Sequence, residues 1–208
     1  MIQFVTTCAT LPVNTDPTII AVRDTEYTIA LHKLENYKLP IHAILSETND
    51  DAYSKSLFKN FTFTSKTLIN STTELGAKTK SQKEFVSIQK ALHNLDSLHD
   101  DDWIIKTTGR YVFISDTFYT IVKHAESKAR AIVKLSSPPS QAYTFCFAMR
   151  VKEFREFYSQ SLSELGNKNV ERFLLEFLKK NEILTSTVSV SNLGILANIA
   201  NSGNYQIV

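Results

Sequence analysis

The chain has 208 residues, 43% hydrophobic and 21% charged, with a formal charge of +2. That size and balance fit one globular domain with a sizeable core, and they lack the basic excess on which non-specific nucleic-acid binding depends. No run approaches the roughly 18 apolar residues of a membrane span, and MIQFVTTCATLP carries no basic region before its apolar part, so a soluble cytoplasmic protein is expected.

Residues 2–8, IQFVTTC, are β-branched and aromatic and stop at a loop containing Pro12, which predicts a first strand. Asp16-Pro17 then supplies an N-cap and a Pro at the first helical position. Ile20, Tyr27, Leu31 and Leu34 recur at helical spacing up to Pro40, so strand and helix together begin an α/β unit. Arg23 lies one turn into that helix; its guanidinium either reaches a bound diphosphate or sits solvated on the surface. IHAILSE, residues 41–47, is a second strand ending in Glu47. That carboxylate can accept from a base or a ribose, or form a salt bridge at the sheet edge.

KTLINS (66–71) is a third strand. Gly76-Ala77-Lys78-Thr79-Lys80 follows, and Ser81-Gln82-Lys83-Glu84 reads as a capping box for a helix with Phe85, Ile88, Leu92 and Leu95 on one face. Lys78 and Lys80 before a helix N-terminus make an anion site plausible, although the Gly-x-x-x-x-Gly-Lys-Ser/Thr spacing of a P-loop is absent. The stretch DDWIIKTTGRYVF (101–113) reads as a buried strand with a polar corner at its far end. In open α/β sheets ligands bind outside the carboxyl ends of strands, so Thr107, Thr108, Gly109 and Arg110 are well placed and Asp100 to Asp102, a solvated turn at the other end, are not. Gly109 would let backbone approach a ligand closely, and Arg110 offers a fork of donors suited to phosphate. The competing reading of Arg110 is a pairing with an acidic residue that holds the corner together.

Ser115-Asp116 caps a short helix bearing Phe118, Ile121 and Val122. RAIVKL (130–135) and AYTFCFAMR (142–150) are further strands around Pro138-Pro139, and helices cover about 151–165 and 169–180, with Gly166 at a C-cap position. The remainder alternates like a strand and then becomes rich in Gly, Asn and Ser, ending in either a loop at Ser202-Gly203-Asn204 or an ordinary tail. The five histidines form no zinc-hydrolase pattern. Neither Cys8 nor Cys146 has ligand or nucleophile spacing, and both read as buried free thiols. A Gly-x-Ser-x-Gly elbow and a Gly-x-Gly-x-x-Gly fingerprint are also missing, which counts against hydrolase and dinucleotide chemistry.

The segment Lys106-x-Thr108-Gly109-Arg110-Tyr111 resembles one found in nucleotide-sugar glycosyltransferases of the GT-A type, including those encoded by large viruses of algae. The resemblance implies a single α/β domain, residues 1–208, with a mixed, mostly parallel central sheet of about six strands flanked by helices. Residues about 1–100 would form the nucleotide-binding half and about 101–208 the acceptor side. It implies transfer of a hexose from a UDP-sugar to an acceptor hydroxyl on a glycan or glycoprotein, such as a viral capsid glycan, in the host cytoplasm. By the same resemblance, Thr6, Thr7, Cys8 and Ala9 correspond to a uridine-contacting loop, the alternative being ordinary strand residues, and Ser202 and Gly203 to a loop over the diphosphate; Arg110 and Asp116 are the candidate catalytic residues, Asp116 being otherwise a plain helix cap. Common GT-A enzymes end the equivalent strand in Asp-x-Asp, a metal-binding pair, but this chain has Thr108-Gly109-Arg110 there. A Mn²⁺ or Mg²⁺ ion would then be held mainly by the diphosphate, with its protein ligands unknown. The rival readings are a non-catalytic interaction domain on the same scaffold and a nucleotidyltransferase, which would need carboxylates at the strand end.

Overall fold

A computed structural model describes residues 1–9, 16–47, 58–70, 79–95, 97–166, 168–198 and 205–208. The elements in chain order are β1 (Ile2–Ala9), α1 (Pro17–Glu35), β2 (Ile41–Glu47), β3 (Ser65–Asn70), α2 (Lys80–Ala91) and β4 (Trp103–Thr108). They continue with β5 (Val112–Phe113), α3 (Thr117–Lys123), β6 (Ala131–Val133), β7 (Cys146–Arg150), α4 (Val151–Tyr158), α5 (Leu162–Leu165) and α6 (Val170–Lys180). Three short strands complete the chain: β8 (Thr187–Ser189), β9 (Ile195–Asn198) and β10 (Tyr205–Ile207).

Among the described residues, seven strands form the main sheet in the order β3-β2-β1-β4-β7-β6-β8, and β7 alone runs against the rest. This is the expected mixed, mostly parallel sheet with one strand more than anticipated. Parallel neighbours need crossover connections, and α1 supplies one between β1 and β2. A second, antiparallel sheet of three strands, ordered β10-β9-β5, was not foreseen. Its strands are two to four residues long, too short to show a period of two in the sequence.

Both faces of the main sheet are covered, as a mostly parallel sheet requires. Successive side chains along a strand point to opposite faces, so Val5 and Ile104 join one core while Phe4 and Ile105 join the other. The first core is built against α2, α4 and α6, where the rings of Phe85, Phe157 and Phe173 meet with centroids 5.5 to 5.8 Å apart, the range of favourable aromatic pairs. The second contains Tyr27, Leu31 and Leu34 of α1 together with Phe113 and Ile195 of the small sheet. Among the described residues no helix is long and apolar enough to cross a membrane.

Helix starts follow local rules, with one register difference. Asp16 caps α1 by accepting from the Thr18 N–H at 2.7 Å. The capping box of α2 is Thr79 with Gln82, each side chain bonding the other's backbone N–H at 3.1 Å, two residues earlier than the expected Ser81–Glu84 box. Thr79 and Gln82 thus form the box, and Glu84, two residues further along the helix, bonds Lys106 of the sheet. Asp116 occupies the N-cap position of α3 without making a side-chain cap bond. The turn before β4 is only partly solvated: Asp100 pairs with Arg155 at 3.2 Å, while Asp102 is buried and accepts from the Met1 amino group and from the His99 N–H.

The cap assignment is testable by urea unfolding. Thr79→Ala should cost about 1 kcal/mol, whereas Ser81→Ala, inside the helix, should leave stability unchanged or slightly higher.

Candidate active site at the sheet switch point

After β1 the chain builds β2 and β3 on one side, then returns to place β4 on the other. The carboxyl ends of β1 and β4 therefore flank a topological switch point, the position at which open α/β sheets bind ligands. Parallel pairing sets Thr6 beside Thr107 and Thr7 beside Thr108. The corner beyond β4 closes onto β1, with the Gly109 N–H donating to the Thr7 carbonyl at 2.9 Å. A Cβ on residue 109 would lie 2.4 Å from Cys8 Sγ and 3.0 Å from Thr6 Oγ1. The small residue expected to admit a ligand thus admits the side chain of Cys8, and Gly109 itself is buried. Desolvation raises the Cys8 thiol to about 12, opposed in part by its contact with Thr6, so this side chain remains a neutral, packed group.

On the α2 side of the switch point, Lys106 is only 1% exposed. A buried ammonium must be paired and hydrogen-bonded, and two partners answer: Glu84 Oε1 at 2.5 Å and the Thr144 carbonyl at 2.7 Å. Thr7 Oγ1 donates to the same Glu84 oxygen at 3.0 Å. Thr144 passes the connection on, its hydroxyl donating to Glu171 at 2.9 Å. Burial first, then the Glu84 and Glu171 charges, hold the Tyr158 phenol well above its usual range.

On the α1 side, Arg110 is 5% exposed and donates to Glu26 Oε2 at 3.2 Å, with its guanidinium over the Tyr111 ring at 5.4 Å. Glu26, equally buried, also accepts from the Tyr205 hydroxyl at 2.9 Å. Arg110 was expected to face a diphosphate; here its charge is matched within the protein, and the acidic partner that holds the corner together is Glu26. Arg23 lies one turn before Glu26 on α1, half-buried, and its Nε is buried with no hydrogen-bond partner. No described residue forms an ion pair with it.

The remaining expected positions separate. Ala9 and Glu47 end β1 and β2 at this edge, paired through their backbones with Ser46 and Asn70. Lys80 opens α2. Lys78, Ser202 and Gly203 lie outside the described residues. Asp116 is not brought to the switch point: it accepts at 2.9 Å from Tyr37, whose ring packs on Phe4 near the start of β1, toward the amino edge of the sheet. Asp100 to Asp102 likewise precede β4. Among the described residues no three His, Cys, Asp or Glu side chains are grouped to hold a metal. The pairings of Glu84 and Glu26 were not anticipated. The available signals were a lone lysine inside the apolar run Trp103 to Thr108 and a glutamate interrupting the buried stripe of α1.

The clamp at the corner predicts a stability effect. Arg110→Ala removes the guanidinium that balances the buried Glu26 carboxylate and should cost about 3–5 kcal/mol in urea unfolding. Combining it with Glu26→Gln should recover much of that loss, and strict additivity of the two changes would show that the residues do not interact.

No protein-family model and no curated protein sequence matches this chain. Solved structures do. A protein assigned as a glucose-1-phosphate thymidylyltransferase from Bacillus anthracis aligns over 91% of this chain and 86% of its own, with a TM-score of 0.59 and 12% identity. A protein assigned as a nucleotide-diphospho-sugar transferase from Desulfovibrio desulfuricans aligns over 91% and 79%, with a TM-score of 0.54 and 11% identity. A glycosyltransferase involved in glycosylating the major capsid of PBCV-1 covers 90% and 80% at 12% identity. Its TM-score of 0.49 is too low to carry an argument. At these identities the likeness is one of architecture, and the sheet order, the switch point and the alignments agree that the chain has the GT-A-like fold of the nucleotide-diphospho-sugar transferases.

Proposed function

We propose that this protein is a glycosyltransferase that moves a hexose from a UDP-sugar to an acceptor hydroxyl on a glycan, with residues about 1–100 as the nucleotide half and about 101–208 as the acceptor side. The observation that carries the reading is Arg23, a half-buried guanidinium whose Nε has no partner, on the helix that follows β1 at the switch point. Burying a donor without a partner costs about 1–3 kcal/mol, and an anionic ligand held there would remove that cost. In glycosyl transfer, negative charge builds on the departing diphosphate as the glycosidic bond breaks, so a fixed cation contributes more in the transition state than in the ground state. Arg23 is assigned that role. Arg110, already matched by Glu26, braces the corner instead.

The uridine would lie along the ends of β1 and β2, where Thr6, Thr7, Cys8, Ala9 and Glu47 stand, with Thr107, Thr108 and Gly109 bordering the sugar. The backbone of the first strand is the better contact there, since the Thr6 and Cys8 side chains are buried. Lys78, Lys80 and the loop at Ser202 and Gly203 would complete the diphosphate site. A Mn²⁺ or Mg²⁺ ion is assigned to the diphosphate rather than to protein carboxylates; when bound it would neutralise charge on the leaving group. A capsid glycan as acceptor follows from the sequence resemblance alone.

Calorimetry tests this reading. UDP should bind more tightly than GDP or CMP, and Arg23→Ala should weaken UDP by roughly ten- to a hundredfold, the range of a charge-assisted hydrogen bond. The same variant should melt no lower than the parent, because it removes an unsatisfied buried donor. Arg23→Lys should recover part of the affinity. Equal or stronger GDP binding would exclude the uridine assignment. Release of pyrophosphate from UTP and a sugar 1-phosphate would favour a nucleotidyltransferase.

A further inference from the structure

Three aromatic rings leave the corner of the switch point in a row. Tyr111, whose ring lies 5.4 Å from the Arg110 guanidinium, meets Phe145 with centroids 5.5 Å apart, and Phe145 meets Tyr143 at 5.4 Å. Backbone bonds fix the row at the carboxyl edge of β4: the Thr108 N–H donates to the Phe145 carbonyl at 2.9 Å, and the Tyr143 N–H donates to the Lys134 carbonyl at 2.9 Å. At the outer end stands Lys134, its Nζ 6.0 Å from the Tyr143 ring centroid. Packing accounts for the first two rings only. Tyr111 belongs to the second core and Phe145 packs against it. Tyr143 joins neither core, yet it is held half-buried rather than released to solvent. Among the described residues its hydroxyl has no hydrogen-bond partner, and Lys134, also half-buried, forms no ion pair. An aromatic face with an unbonded phenol and an ammonium at its rim has the mixed chemistry of a ligand-binding surface.

We propose that Tyr143, with Phe145 behind it and Lys134 at its rim, is the platform on which the acceptor sugar stacks. This rests on the glycosyltransferase reading and gives the acceptor a place in that site. A pyranose matches the platform in two respects. One face of the sugar carries C–H bonds polarised by the neighbouring oxygens, and these sit favourably against the electron-rich face of an aromatic ring. Its edge carries hydroxyls, to which the Tyr143 phenol can donate or from which it can accept, and to whose oxygens Lys134 can donate. Thr108, assigned to the border of the donor sugar, is the residue whose N–H holds Phe145, so the platform begins where transfer would occur.

The test is saturation-transfer NMR on the full chain with UDP present, irradiating the aromatic protons of the protein and reading the ring protons of methyl glycosides of glucose, galactose, mannose and xylose. Calorimetry on the same preparations gives the UDP affinity. At least one glycoside should be saturated through its C–H protons. Tyr143→Ala should weaken that glycoside about three- to tenfold, the range of a ring contact, while Tyr143→Phe, which keeps the ring, should retain most of the binding. Lys134→Gln should weaken it by a smaller factor. The UDP affinity should be the same in all of them, which separates loss of the platform from a general disturbance of the fold. If Tyr143→Ala melts early, Tyr143→Leu keeps apolar bulk without the ring and serves for the same measurement. No saturation of any glycoside in a parent that binds UDP, or saturation undiminished in both Tyr143→Ala and Tyr143→Leu, would overturn this inference while leaving the proposed function standing. A parent that binds no uridine nucleotide would overturn both.

Discussion

Gly109 donates its N–H to the Thr7 carbonyl across the ends of β4 and β1, and the site geometry follows from that closure. It brings the corner at Gly109 so near the first strand that a methyl group there would overlap the sulfur of Cys8. Because the two strands are in parallel register, their polar ends arrive side by side, Thr6 with Thr107 and Thr7 with Thr108. The same register carries Lys106 to the α2 face and Arg110 to the α1 side, so each flank of the switch point receives one buried cation.

Desolvation then sorts the cations. A charge removed from water must find its counter-charge nearby or shift its protonation. Lys106 finds Glu84, and Arg110 finds Glu26 with Tyr205 as a third member. Both pairs join segments distant in the chain, so each also fastens one element to another: α2 to β4, and α1 to the corner and to the small sheet. Among the described residues Arg23 is the exception on this edge, with its Nε buried and without a hydrogen-bond partner. An unsatisfied group of this kind is a local cost that stability alone does not explain, and it is the ground for assigning Arg23 to an anionic ligand.

The elements that sequence patterns anticipated correctly are those whose cause is local. Asp16-Pro17 starts α1, Gly166 ends α5 at a positive φ, and the aromatic stripes of α4 and α6 are buried. The α2 cap was displaced by two residues because Thr79 with Gln82 satisfies the same reciprocal geometry as Ser81 with Glu84, and spacing rules cannot rank two overlapping boxes. Asp116 shows a related limit. It occupies an N-cap position, yet its carboxylate bonds Tyr37, which the chain brings close only after folding.

By itself, then, the sequence determined an α/β chain, its strand-then-helix beginning, and the polar corner at the end of the fourth strand, since hydrophobic period, caps and breakers act over a turn or a few residues. Only the tertiary structure decided which charge answers which. Glu84 lies 22 residues from Lys106, Glu26 lies 84 from Arg110, and Tyr205 lies 179 from Glu26. No local rule spans such distances: the partner of a buried charge is chosen by strand order and register, and these emerge from how both faces of the whole sheet are covered.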